Sequence, residues 1–227
     1  MPNLYPDENG LLDALAQRGI DPQIKVWSDP DVDWDDAGMV VVRSVVDYAE
    51  DRKNFLKWAR SVPRILNQAD VLTWNSDKHY LQELEKRGLP TIPTTWIPAA
   101  KKFEKRQVHA RFPAFGDFVV KPAVSSGVRD IGRYSSNSLK QRQDAIGQAM
   151  DLLADDRDVM VQRYQEAIDI HGEVSLVFFN GLLSHAVQKK ALLHPSEVTD
   201  RKIREVVVSA HTPTDQQLGW GEQIRIA

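Results

Sequence analysis

The chain has 227 residues, enough to bury a substantial core, and its 29 Lys and Arg residues nearly balance 32 Asp and Glu residues. The resulting formal net charge of −3 argues against the strongly basic surface that dominates nucleic-acid binding. Cysteine is absent, which excludes disulfides, Cys-ligated zinc and thiol nucleophiles, and no secretory signal or membrane-spanning apolar run is recognisable. We therefore expect a cytoplasmic protein that acts on small molecules.

The first ninety residues alternate helix-like and strand-like segments. Apolar residues at helical spacing predict helices around 11–15, 55–62 and 77–87, and apolar runs predict strands at 24–27 and 39–42. Such alternation is typical of an α/β layer with a largely parallel sheet. Since no strand precedes the first helix, we expect that the first strand of this layer is missing.

Beyond residue 90 the sequence predicts mainly strands, with one long helix among them. Strands are predicted at 118–122, 131–134, 159–162, 174–179 and 182–187, and a helix over 145–153. Asn180 and Gly181 predict a tight hairpin between the last two strands, because both tolerate positive φ. Thr212-Pro213-Thr214-Asp215 predicts a helix start.

Two lysines lie in unusual positions. Lys78 is predicted in the first turn of its helix, where a cation opposes the partial positive charge of the exposed N–H groups by roughly 0.3–1 kcal/mol. Lys121 interrupts an apolar strand and must reach solvent or meet a partner. A nearby anion would relieve both positions, whereas a solvated surface lysine is the alternative interpretation of each.

The loop after Lys121 has the composition of a phosphate-binding turn. Ser125, Ser126 and Gly127 are small enough to let backbone N–H groups approach phosphate oxygens, and Arg129 adds a cation. The loop matches neither the Walker pattern nor the dinucleotide fingerprint. An ordinary Ser-Gly turn remains the alternative.

Four segments, in this order, resemble the ATP-grasp superfamily. They are Asn75-Ser76-Asp77-Lys78, Val119-Val120-Lys121-Pro122 with its loop, Val161-Gln162-Arg163-Tyr164, and residues 172–181. The similarity is to the branch around D-alanine–D-alanine ligase and glutathione synthetase, including D-cycloserine-forming ligase-like proteins. It implies an N-terminal α/β domain at 1–73, a central subdomain at 74–163 and the start of an incomplete C-terminal subdomain at 164–227.

The resemblance also implies how ATP would be bound. Lys78 and Lys121 would contact the α- and β-phosphates, and residues 125–132, here named the lid loop, would close over the triphosphate. Residues 162–165, beginning with Gln162, would form a hinge against the adenine through their backbone, with Tyr164 packing near the base.

Three further assignments have alternatives of similar weight. Glu173 matches the family glutamate that accepts hydrogen bonds from the ribose hydroxyls, or is a solvated residue beside a turn. Lys189 or Lys190 would supply a further phosphate contact, or lie exposed at a strand end. Arg43 follows a predicted strand and would clamp a substrate carboxylate, or pair with Asp47.

The implied activity is ATP-dependent ligation of a small-molecule carboxylate to an amine. The carboxylate attacks the γ-phosphate to give an acylphosphate and ADP, and the amine then displaces phosphate. A non-catalytic nucleotide-binding module and an ATP-grasp small-molecule kinase are the alternatives. The oligomeric state is open, with a homodimer among the candidates.

The family usually holds two Mg²⁺ ions on acidic residues of strands that follow the second hairpin. The acids beyond Lys190 lie outside such a strand motif: Glu197, Asp200, Glu205, Asp215 and Glu222. The metal ligands are therefore unassigned and expected in a missing C-terminal segment. We expect this chain to bind ATP weakly at best and not to turn it over without that segment.

Overall fold

The computed structural model describes residues 8–127, 129–193 and 207–226. The chain separates into two compact units, Met1–Ser76 and Asp77–Ala227. Three of the acids considered above, Glu197, Asp200 and Glu205, lie outside the described residues. No helix in the described part of the chain is both long enough and apolar enough to cross a membrane.

The first unit contains three helices and a short parallel strand pair among its described residues. In chain order its elements are α1 (Glu8–Ala16), β1 (Val40–Val41), α2 (Arg52–Ser61), β2 (Ile65–Leu66) and α3 (Ala69–Asn75). Val40 of β1 lies opposite Ile65 of β2 in parallel register. This confirms the predicted parallel α/β layer, whereas α3 was not predicted.

An aromatic cluster forms the core of this unit and explains one wrong prediction. Residues 24–27 form no strand. Trp27 instead packs edge-on against Phe55, with ring centroids 5.5 Å apart, and its indole N–H donates to the Asp47 carboxylate at 3.1 Å. The apolar run at 24–27 therefore supplies a core side chain rather than a sheet strand.

The second unit begins with a four-stranded antiparallel sheet. Its elements are α4 (Tyr80–Lys86), β3 (Thr94–Ile97), α5 (Lys105–His109), β4 (Asp117–Pro122), β5 (Gly132–Ser135), α6 (Leu139–Ala154) and β6 (Val159–Arg163). The strand order is β3-β6-β4-β5. Phe118, Val120, Ile146 and Ala149 are buried between α6 and the sheet. The sequence missed β3 and α5; β3 is an edge strand, where flanking prolines remove no ladder hydrogen bond.

A three-stranded antiparallel sheet completes the second unit. Its elements are α7 (Ala167–His171), β7 (Glu173–Phe179), β8 (Leu182–Lys189), β9 (Val208–His211) and α8 (Asp215–Ile226), and the strand order is β7-β8-β9. Asn180 and Gly181 have φ of 51° and 80°, which confirms the predicted hairpin. Thr214 Oγ1 accepts from the Gln217 N–H at 3.3 Å, which confirms the helix start.

Candidate functional site

Lys78 lies in a turn rather than in a helix, contrary to the sequence prediction. Residues 69–75 form α3, and α4 begins only at Tyr80. The backbone N–H of Lys78 donates to Ala123 O at 3.0 Å, so the turn is fixed to the segment that follows β4. Lys78 is therefore placed by contact with that segment, and the helix-dipole penalty inferred from the sequence does not apply.

The ammonium group of Lys78 is bound by neutral oxygens at the start of the lid loop. Its Nζ lies 2.7 Å from Ser125 Oγ, 3.0 Å from Ser125 O and 3.4 Å from Ala123 O. Burial, followed by repulsion from Lys121, lowers the pKa of Lys78 to about 8, although Asp77 opposes the shift. The structure thus brings the two predicted lysines into one electrostatic environment.

Lys121 is the second lysine of this site and lies on β4, opposite Met160 of β6. Burial lowers the pKa of Lys121, and attraction from Glu173 partly offsets this effect. Glu173 starts β7, in register with Lys189 on β8, so both sheets of the second unit contribute charges here. Two partly buried cations that repel each other form a favourable environment for a polyanion.

The lid loop is held at both ends within the described residues. Lys78 binds Ser125 at its start. Near its end the Asp130 carbonyl accepts from Gln148 Nε2 at 2.6 Å, and the Asp130 carboxylate pairs with Arg157 at 2.8 Å. Gly127 has φ of +62°, which favours glycine at that position.

The remaining lid-loop residues differ in exposure. Ser125 is buried, Ser126 is half-buried, and Gly127 and Arg129 are exposed. The exposed part of the loop thus lies between its two anchored ends. Val128 lies outside the described residues, and phosphate contacts for Ser126, Gly127 and Arg129 stay predictions.

His79 fixes the Lys78 turn from its other side and was not predicted as a site residue. Its Nδ1 lies 2.7 Å from Asp77 Oδ1, its Nε2 lies 3.6 Å from Asp158 Oδ2, and its ring stacks on Trp96 at 4.3 Å. These contacts join the turn to β3 and to the start of β6. Asp77 is a neighbour of His79 in the sequence, but Asp158 is 79 residues away, so spacing gives no signal for the cluster as a whole.

Gln162 and Tyr164 lie at the end of β6, where the hinge was predicted. Gln162 is buried and its side chain donates to Thr94 Oγ1 at 2.7 Å, within the sheet. The backbone N–H of Tyr164 donates to Asp117 O at 2.9 Å. These hydrogen bonds do not test the predicted contact of this segment with adenine, which stays a prediction.

A network around Tyr164 was missed by the sequence analysis. The Arg133 guanidinium lies 3.6 Å over the Tyr164 ring, and the Tyr164 hydroxyl donates to Asp169 at 2.5 Å. Burial, followed by the hydrogen bond to Asp169, raises the pKa of Tyr164. An arginine inside a short predicted strand is the signal that could have marked Arg133, just as Lys121 was marked in its strand.

Arg43 lies in the first unit, shortly after β1, and its side chain is exposed. The backbone of the next residue, Ser44, has φ of 52°. The carboxylate of Asp47, the alternative partner considered for Arg43, accepts the Trp27 N–H. The predicted clamp on a substrate carboxylate stays a prediction.

Magnesium ligands are not identified in the described part of the chain. Residues 8–127, 129–193 and 207–226 contain no group of three or more His, Cys, Asp or Glu side chains that could hold a metal ion. Asp215 begins α8, and Glu222 in the same helix pairs with Arg225 at 2.7 Å. We therefore assign none of the residues in these ranges to Mg²⁺.

The comparison with known proteins agrees with this architecture. The family "D-cycloserine synthetase DcsG, N-terminal domain" matches residues 1–67. The crystal structure of D-cycloserine synthetase DcsG is 31% identical, with a TM-score of 0.81, over 96% of this chain and 73% of that one. This chain belongs to the ATP-grasp superfamily, in the family of D-cycloserine synthetase. The superfamily predicted from the four sequence segments is thus confirmed.

Two further relatives extend this result. The cycloserine biosynthesis protein DcsG of Streptomyces lavendulae is 35% identical over 190 residues, which are 82% of this chain and 62% of that protein. An ATP-grasp RimK domain protein of Sphaerobacter thermophilus is 16% identical, with a TM-score of 0.62 over 99% of this chain and 78% of that one. This second likeness shows the shared fold. The chain spans less than two thirds of the length of its curated relative.

Proposed function

We propose that this chain provides the ATP-binding site of an ATP-dependent ligase that joins a small-molecule carboxylate to an amine. Membership in the family of D-cycloserine synthetase supports the ligase class. Because the chain spans 62% of the curated relative, we propose the ATP-binding step for this chain and the complete reaction for a protein of the relative's length.

The observation that carries the proposal is the convergence of Lys78 and Lys121. Repulsion between them contributes to lowering the pKa of Lys78 to about 8. Placing two cations together in a partly buried position is unfavourable unless an anion neutralises them. A triphosphate, with several negative charges spaced along a chain, suits two cations that come from separate elements.

The remaining residues of this chain would orient the nucleotide. The lid loop would present backbone N–H groups and Arg129 to the phosphates, and Ser125 would hold Lys78 in place. Glu173 would accept from the ribose hydroxyls, beside Tyr164 and the base. Lys189, in register with Glu173, would add a phosphate contact.

In the complete reaction the substrate carboxylate attacks the γ-phosphate, which forms an acylphosphate and releases ADP. The amine nitrogen then attacks the acyl carbon, forms the amide-type bond and releases phosphate. The lysines, at the α- and β-phosphates, would stabilise the negative charge that develops on the departing ADP. Arg43 would hold the carboxylate substrate. Mg²⁺ would share the charge neutralisation, although no described residue is assigned to it.

Titration with Mg·ATP, followed by calorimetry, tests the proposal for this chain directly. Weak but saturable binding with one ATP per chain is expected, and absence of binding at millimolar nucleotide would contradict the proposal. In a protein of the relative's length, hydroxylamine as the amine, together with a panel of small carboxylic and amino acids, identifies the reaction. A hydroxamate is the product expected of a ligase that forms an acylphosphate, whereas ADP without hydroxamate indicates the kinase alternative.

A further inference from the structure

A buried cation is clamped where the two sheets of the second unit meet. The Arg133 side chain, on β5, is only 8% exposed. Its Nη2 lies 2.9 Å from Asp117 Oδ2 on β4, and its Nη1 lies 2.8 Å from Asp169 Oδ2 in α7. The same Nη1 donates to Leu193 O at 3.1 Å, in the segment after β8. The guanidinium thus contacts the four-stranded sheet, helix α7 and the segment that follows β8.

The planar face of the Arg133 guanidinium stacks on the Tyr164 ring. The Arg133 Cζ lies 3.6 Å from the ring centroid, and the Tyr164 hydroxyl is tied to Asp169, the carboxylate that also pairs with Arg133. The ring is therefore fixed by a stacked cation on one face and by a hydrogen bond at its edge. Both contacts restrict the ring to one orientation.

A structural role alone is a weak explanation of this network. Burying a guanidinium against two half-buried carboxylates and a half-buried phenol carries a desolvation cost, and packed apolar side chains of similar volume often stabilise a protein as well or better. Burial lowers the pKa of Arg133, but hydrogen bonds to Asp169 and Asp117 outweigh this, so the pKa is raised overall and the charge is permanent. Such a network is suited to fixing one geometry.

The position of the network links it to the nucleotide site. Glu173 contributes to raising the pKa of Tyr164 and also opposes the lowering of the pKa of Lys121. The geometry agrees: Tyr164 directly follows β6, its N–H donates to Asp117 O at 2.9 Å, and β6 pairs with β4, the strand that carries Lys121. With the ribose at Glu173, as proposed above, the base would lie beside this ring.

We propose that Arg133 is a positioning residue of the nucleotide site: clamped by Asp117 and Asp169, it fixes the Tyr164 ring as the wall against which the nucleotide base packs. This inference rests on the proposed function. The base contact then depends on Arg133, while the phosphate contacts depend on the two lysines. ATP and inorganic tripolyphosphate, which lacks base and ribose, separate these contributions.

The test measures the dissociation constants of both ligands by calorimetry for the wild type, Arg133→Met and Arg111→Met. Arg111 is the matched control, because it stacks on Phe103 at 3.9 Å in a different part of the same unit. Arg133→Met is expected to raise the dissociation constant for ATP at least about tenfold, which corresponds to the loss of a contact worth 1.4 kcal/mol. The dissociation constant for tripolyphosphate should change by less than about twofold. Arg111→Met is expected to change neither.

Two more variants keep the inference testable if Arg133→Met does not fold. Asp169→Asn keeps the side-chain shape but removes the negative charge that pairs with Arg133. It is expected to lower the affinity for ATP severalfold and to leave the affinity for tripolyphosphate unchanged. Arg133→Lys keeps the charge without the planar stack and is expected to restore folding but not ATP affinity.

The possible results separate the inference from the proposed function. A wild-type chain that binds neither ligand contradicts the proposed function. Wild-type binding of both ligands, with ATP affinity unchanged in Arg133→Met or Asp169→Asn, overturns only the role of Arg133. Equal weakening of ATP and tripolyphosphate also overturns it, because it shows general damage to the unit.

Discussion

The ammonium of Lys78 donates to the hydroxyl of Ser125 at 2.7 Å and to the carbonyl of the same residue at 3.0 Å. One side chain thus holds the first residue of the lid loop through two separate oxygens. Lys78 is also the cation that repels Lys121. The start of the lid loop is therefore coupled to the two lysines that are proposed to bind the phosphates. A polyanion that binds the lysines would act on the loop through this contact.

The affinity for ATP is expected to fall as the pH rises through about 8. The pKa of Lys78 is lowered to about 8, so its ammonium is charged below this pH and neutral above it. Because the charged form binds the phosphates, affinity is highest below pH 8 and decreases by up to about tenfold per pH unit above it. Calorimetric titrations between about pH 7 and pH 9.5 measure this profile. Lys78→Arg, which stays charged, should flatten it, and an identical decline in both proteins would contradict the assignment.

Removing the Ser125 hydroxyl is expected to shift that profile to lower pH. Ser125→Ala removes the shortest hydrogen bond of the Lys78 ammonium, which stabilises the charged form, so the pKa of Lys78 should fall further. The midpoint of the ATP-binding profile reports this change. Ser126→Ala is the matched control, since the Lys78 ammonium donates to Ala123 and Ser125, and its midpoint should equal that of the wild type. Equal midpoints for both variants would show that the 2.7 Å contact has no effect on Lys78.

Glu173→Gln is expected to weaken the binding of ATP but not that of tripolyphosphate. The substitution removes an acceptor proposed for the ribose, so ATP should weaken by roughly three- to tenfold, as expected for one or two lost hydrogen bonds. It also removes a negative charge that acts on Lys121, so tripolyphosphate should bind equally well or more tightly. Competition titrations with both ligands measure the two effects. Parallel weakening of both ligands would exclude the ribose role.

Two glycine substitutions are expected to affect stability with opposite signs. Gly172 has φ of +66°, and a Cβ there would overlap the backbone carbonyl of Lys189, so Gly172→Ala should lower the free energy of unfolding by more than about 2 kcal/mol. Gly147 lies within α6 with open space around it, so Gly147→Ala should raise it by roughly 0.5–1 kcal/mol. Urea unfolding followed by circular dichroism measures both. A neutral Gly172→Ala would contradict the described junction between α7 and β7.

Those parts of the fold that depend on local chemistry were predictable from the sequence. The Asn180-Gly181 turn was predicted because its residues tolerate positive φ, and both adopt it. Strand β4 was predicted from its apolar run, and Lys121 was noticed because a lysine interrupts that run. The prediction that placed Lys78 in a helix was wrong because α3 ends at Asn75 and α4 begins only at Tyr80, which leaves Lys78 in the turn between two seven-residue helices.

The network around Arg133 could not be predicted in the same way. Arg133 and Asp169 are 36 residues apart and lie on different elements, and the sequence gives no spacing that joins them. The same applies to His79 and Asp158, which meet only because the Lys78 turn is fixed beside the start of β6. Contacts of this kind depend on how two sheets pack, and packing is set by the whole core rather than by a local pattern.

The most direct test of the central claim is the affinity for Mg·ATP of the wild type and of Lys121→Ala, measured by calorimetry at low ionic strength. Lys140→Ala is the control, because the Lys140 side chain is 84% exposed and pairs with Asp144 one helical turn away. The account predicts saturable wild-type binding, unchanged in Lys140→Ala and weakened about 10- to 150-fold in Lys121→Ala, as expected for the loss of a charged hydrogen bond worth roughly 1.5–3 kcal/mol. Equal ATP affinity in the wild type and Lys121→Ala would contradict it.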